Sequence, residues 1–149
     1  MRDHLNEELK TAMKAGDKLR VSTIRMINSG LKDKDIEARG HGRTVSDDDI
    51  LALLQKLMKS RAESAEIFEK AGRTDLSTKE REEIAIIQGF LPQPLSPAEA
   101  EAAIADAMAE TGATSIKDMG KVIGLLKGKY AGRMDFGAVS AAVKAKLAG

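Results

Sequence analysis

The chain has 149 residues and 16.0 kDa, enough for one ordinary hydrophobic core or a modest core with a small satellite. With 42% hydrophobic and 32% charged residues it belongs among globular rather than disordered sequences, and its lack of cysteine excludes disulfides and thiolate metal sites. Formal net charge is only +1, so any electrostatic role must come from how charge is distributed.

Residues 1–8 contain no apolar run, so neither a signal peptide nor a membrane span is expected there, and the expected compartment is the cytoplasm. Asp3 or Asn6 can cap a first helix carrying Leu5, Leu9 and Met13 and closing near Gly16. Asp17 can cap a second, with Val21, Ile24, Ile27 and Leu31 at steps of three or four, fraying through Lys32-Asp33-Lys34-Asp35 and ending by Gly40-His41-Gly42. Ser46 followed by Asp47, Asp48 and Asp49 starts a third helix, because acids in a first turn oppose the helix dipole. The three aspartates resemble a metal cluster, but consecutive helical residues point in different directions, which favours the cap. This helix runs through Ile50, Leu53, Leu54, Leu57, Met58, Ala65 and Phe68 to Gly72. Ser77 and Glu80 have the spacing of a capping box for a fourth helix with Ile84, Ile86, Ile87 and Phe90.

All three prolines then fall within Phe90-Leu91-Pro92-Gln93-Pro94-Leu95-Ser96-Pro97. Proline fixes its own φ, lacks an amide donor and disfavours helix in the residue before it, so the fourth helix cannot pass. Ser96-Pro97-Ala98-Glu99 is a capping box with proline at N1, so the next helix can begin cleanly. This predicts a domain boundary, with residues 1–91 as an N-terminal bundle of about four helices and residues 92–149 as hinge and tail. Beyond it, an alanine-rich helix presents Ile104, Ala107 and Met108 and closes at Gly112; Ser115 can cap one with Ile116, Met119, Val122, Ile123 and Leu126; Asp135 can cap the last, burying Val139, Val143 and Leu147. No alternating run of β-branched or aromatic residues occurs, so the predicted fold is all-α, a helical bundle, a proline hinge and a small three-helix tail.

Divided at the prolines, the charge becomes informative. Residues 1–91 hold 17 basic and 17 acidic side chains, whereas residues 115–149 hold seven bases against Asp118 and Asp135, a net of +5. Within that stretch Gly120, Gly124 and Gly128 recur every four residues in a predicted helix, each at a cost of roughly 1 kcal/mol against alanine. Two readings stay open, a smooth strip that a phosphate or a helix can approach closely, or tight packing inside the tail, and spacing alone favours the second. Lys127 and Lys129 close one helix, and Lys144 and Lys146 another, where the dipole already accounts for positive charge. Lys117 and Lys121, one turn apart, are not explained that way and, with Arg133 in the Gly132-Arg133 turn, are the better phosphate candidates. With only 3% aromatic residues, and Tyr130 alone available to stack a base in the tail, a nucleic-acid ligand would be read through its backbone. His4 and His41 have no ligand-spaced companions, and no P-loop, dinucleotide fingerprint, nucleophile elbow or zincin motif occurs.

Three ordered stretches, Ala71-Gly72-Arg73-Thr74-Asp75-Leu76 with Glu80-Arg81-Glu82-Glu83-Ile84, then Phe90 to Ser96, then Asp118-Met119-Gly120-Lys121-Val122-Ile123, resemble the YqeY family. The resemblance extends to Asp17-Lys18-Leu19-Arg20 and Ser22-Thr23-Ile24-Arg25, and so covers nearly the whole chain in order. The family's C-terminal part is similar to the tail of GatB, a component of the glutamine-dependent aminoacyl-tRNA amidotransferase. It implies a helical bundle, a hinge and a three-helix tail of the kind that enzyme uses to grip the tRNA body. The transfer and glutamine-hydrolysing sites of that enzyme lie in parts with no counterpart here, so a carbon–nitrogen ligase label would be inherited by association, and no catalytic residue and no cofactor is carried over. The expected function is a non-catalytic tRNA-binding accessory module, with Lys117, Gly120, Lys121, Gly124, Lys127, Gly128, Lys129, Gly132 and Arg133 as candidate nucleic-acid contacts and the N-terminal bundle available to a protein partner. The alternative is a protein-interaction module that binds no RNA.

Overall fold

The computed structural model describes residues 1–148, and among these it is all-helical. The elements are α1 (Arg2–Ala15), α2 (Lys18–Gly40), α3 (Asp47–Lys70), α4 (Thr74–Gln88), α5 (Pro97–Thr111), a 3-10 turn (Ile116–Asp118), α6 (Met119–Tyr130) and α7 (Phe136–Ala148). They fall into two compact units, Met1–Leu91 and Pro92–Gly149.

In the N-terminal unit α1 packs on α2, and α3 and α4 form the most extensively packed pair. The spacing that makes each helix amphipathic also fills one core, in which Leu5, Ile24, Ile27, Ile50, Leu54 and Ile87 are essentially inaccessible. Phe90 and Leu91, just beyond α4, fold back onto that core before the prolines begin. Arg61 of α3 donates to Glu83 of α4 at 2.8 Å and to its own Leu57 carbonyl at 3.1 Å, tying the hairpin at its half-buried edge.

Two N-termini form as their residues dictate. Asp17 accepts from the Arg20 amide, and Ser46 and Asp49 exchange bonds of 2.9 and 3.1 Å in a closed capping box, so the aspartate run is a helix start. Three local expectations fail. α1 begins at Arg2, behind Met1 and without a side-chain cap, so neither Asp3 nor Asn6 caps it. α2 does not fray at residues 32–35; Arg2 grips Asp35 through two bonds of 3.0 and 2.6 Å, and the helix runs on to Gly40. Ser77 and Glu80 form no cap. Gly72, at φ 73°, reverses the chain so tightly that α4 starts at Thr74. Ser77 is thus left inside the helix, buried, with its hydroxyl donating to the Thr74 carbonyl.

The C-terminal unit has its own core of Ala103, Ile104, Ala107, Val122, Leu126, Met134, Val139 and Val143. Ser96 and Glu99 close the expected capping box over Pro97. The α6 region differs: instead of one helix from Ser115, a 3-10 turn precedes α6, and the Asp118 carboxylate accepts from the Thr114 and Ser115 amides at 3.0 and 3.3 Å. Asp135 caps α7, accepting from Gly137 and Ala138, and Leu147 is half-buried rather than buried.

Candidate functional site

The candidate contacts cluster on α6 because of how that helix meets its core. Val122 and Leu126 are fully buried and face α5 and α7. At about 100° per residue, Gly124 points roughly opposite both of them, and Gly120 and Gly128 lie about 40° to either side of it. All three glycines are exposed, and a Cβ added at any of them would meet nothing within 4 Å. Tight packing inside the tail, which spacing alone favours, is therefore not what the strip does; it forms an open groove in the helix surface.

Three lysines frame this groove. Lys121 and Lys127 stand about 60° to either side of Gly124. Lys117 projects from the 3-10 turn one turn earlier, and all three are exposed. None of them makes an ion pair among the described residues. Asp118 feels the charge of Lys121, although that carboxylate is held below the usual range chiefly by the Thr114 and Ser115 amides. Lys127 lies 5.9 Å from the Phe136 ring centroid, a weak cation–π contact that leaves its charge available.

The other three candidates are occupied elsewhere. Lys129 bonds Glu110 of α5 at 3.0 Å, and that carboxylate raises the lysine's affinity for its proton while neutralising its field. Gly132 is buried at φ 76°, where it supplies the left-handed turn after α6. Arg133 is half-buried: its Nε donates to the Gln93 carbonyl at 2.8 Å, its own carbonyl accepts from the Leu95 amide at 3.0 Å, and its guanidinium lies 6.0 Å from the Tyr130 centroid. It fastens the proline segment to the α6–α7 turn. Tyr130 is half-buried against the core, with the Arg133 guanidinium near its ring.

Carboxylates at helix starts set an acid limit on the fold. Asp49, Glu99 and Asp118 all lie below the usual carboxylate range because backbone amides donate to their ionised forms, Ser46 to Asp49, Ser96 to Glu99, and Thr114 and Ser115 to Asp118. A carboxyl depressed in the folded state contributes stability that is complete above its unfolded value and lost as pH falls through its folded one. The urea midpoint is therefore expected to stay flat from pH 7 to about 5 and to fall below about 4.5, where unfolded carboxyls take up protons. Urea titrations at half-unit pH steps check this, and Glu99→Gln should flatten part of the slope.

No group of three or more His, Asp or Glu side chains among the described residues could hold a metal. Among the same residues no helix is long and apolar enough to cross a membrane.

A family profile described as "Yqey-like protein" matches residues 2–147. Among curated relatives, "Altered inheritance of mitochondria protein 41, mitochondrial" of Lachancea thermotolerans is 41% identical over 98 residues, 66% of this chain and 51% of that protein. The protein of the same name from Eremothecium gossypii is 37% identical over 105 residues, 70% of this chain and 56% of its own length. An uncharacterized protein of Schizosaccharomyces pombe is 30% identical over 92 residues, 62% of this chain and 72% of that protein. The chain spans about half the length of the first two. Their names overturn the cytoplasmic expectation, since both are called mitochondrial. That expectation rested on the absence of an apolar run in residues 1–8, a feature that targeting to mitochondria does not require.

Proposed function

The chain belongs to the YqeY family, and from that premise we propose that its C-terminal unit is a non-catalytic tRNA-binding module that grips the sugar-phosphate backbone along α6. The observation that carries the reading is the open glycine strip with three unpaired lysines around it. Glycines cut a groove into the helix surface, so a phosphate strand can approach the backbone while ammonium groups reach it from both sides. The likeness of Gly120 and Lys121 to the tail of the amidotransferase component GatB supports the choice of tRNA as the polyanion. No reaction is assigned to the unit.

Three phosphate contacts predict that log affinity falls against log salt with a slope of roughly −2 to −3. Filter binding of total tRNA should therefore weaken roughly 20- to 60-fold between 50 and 200 mM salt. Lys121→Glu should lower affinity about tenfold and reduce the slope by about 1. No retention at 50 mM salt, or retention unchanged by Lys121→Glu, overturns the reading.

One observation favours a second reading, a helix of a partner protein lying in the same strip. Ile116 is 48% exposed at its N-terminal end, where an apolar side chain serves a protein better than a phosphate. Capture that survives nuclease and moderate salt would select it.

A further inference from the structure

The balanced charge of residues 1–91 conceals a local excess. Residues 9–32 hold Lys10, Lys14, Lys18, Arg20, Arg25 and Lys32 against one acid, Asp17. The Asp17 carboxylate accepts from the Arg20 amide at 3.1 Å, and the Arg20 side chain is turned away to Glu8 at 2.9 Å. Lys10, Lys14, Lys18 and Arg25 are exposed, and none of them has an ion-pair partner among the described residues.

Two of these cations, Lys18 and Arg25, border an apolar floor. Lys18, Val21 and Arg25 share one face of α2 by their spacing. With Met13 of α1 and Ser22 they line a concavity of about 500 Å³, whose end at the α1–α2 turn is left open by Gly16. Met13 is 52% exposed there, and Val21 is half-buried. Phosphate chains gain nothing from an exposed methionine, whereas a flexible thioether is well suited to receiving an apolar side chain.

We infer that the α1–α2 hairpin is a docking surface for an acidic amphipathic helix of another protein, with an apolar residue seated on Met13 and Val21 and carboxylates paired with Lys18 and Arg25. This is the helix-in-groove mode, in which apolar residues one turn apart supply affinity and the charged flanks supply orientation. It lies in the N-terminal unit and does not depend on the RNA reading.

The test uses the full chain, labelled with nitrogen-15, and a synthetic peptide of about sixteen residues with leucine at i, i+3, i+4 and i+7 and glutamate on the other face. Amide shifts are expected to cluster at residues 13–25 and to saturate. The same composition in scrambled order should bind at least fivefold more weakly, and Arg25→Glu and Met13→Ser should each weaken binding about five- to tenfold. Both substituted side chains are exposed, so the fold is expected to stay intact, as the unshifted amides of α3 and α4 would report. Absence of shifts, shifts elsewhere, or equal binding of the scrambled peptide overturns the inference. So does a tRNA titration that moves these amides at lower concentration than the peptide does, which would make the patch a second RNA contact.

Discussion

Ile87→Ala is expected to destabilise the N-terminal unit by about 3 kcal/mol, the usual cost of truncating a large aliphatic side chain in a closed core. Ile87 is fully buried among Leu5, Ile24, Ile27, Ile50 and Leu54, so helices on every side would have to shift to refill the space. With a urea slope of the size expected for such a unit, the midpoint should fall by about 2 M. The chain supplies its own second probe. Tyr130 is the only tyrosine, there is no tryptophan, and Tyr130 packs in the core of the C-terminal unit. Circular dichroism follows helices in both units, whereas tyrosine fluorescence follows only the second. The substitution should move most of the dichroism transition and leave the Tyr130 transition where it was. If both move together by the same amount, the units unfold as one and the division at the prolines has no thermodynamic meaning.

Legibility varies along the chain with how local the deciding interaction is. The box at Ser96 and Glu99, the stop at Gly112 and the aspartate run after Ser46 each depend on residues within four positions of one another, and each forms as read. Ser77 and Glu80 show the same local pattern and form no cap, because the left-handed turn at Gly72 has already started α4 three residues earlier. The site is partly legible. A helical wheel places Gly124 opposite Val122 and Leu126, but whether another helix covers that face is a tertiary fact that no wheel contains. In sequence Arg133 looks free to meet a phosphate only because its acceptor, the Gln93 carbonyl, lies forty residues back. Lys129 resembles Lys127 in sequence, yet Glu110, on a different helix, reaches it. The α1–α2 patch is lost when charge is summed over a whole domain, which cancels a basic hairpin against acids elsewhere.

The glycine strip yields the prediction that separates stability from function. Gly120, Gly124 and Gly128 sit in a helix where each lowers stability relative to alanine, most at Gly124 in mid-helix and less near the ends. A methyl group at any of them meets open space, so nothing inside the chain opposes the change. The triple alanine variant is expected to gain about 2 kcal/mol, seen as a rise of about 10 °C in the Tyr130 melting transition. A small unit gains little by carrying such a penalty unless a bound partner needs the space. Three methyl groups would fill the groove and hold a phosphate strand farther from the lysines. The same variant should then lose about tenfold in tRNA affinity while its salt slope stays near −2 to −3, because the number of cations is unchanged. A partner helix in the groove would be displaced as well, but tRNA retention would not respond. A more stable variant that binds tRNA as well as the parent would leave lysine charge as the only determinant on α6, and the strip would need another explanation.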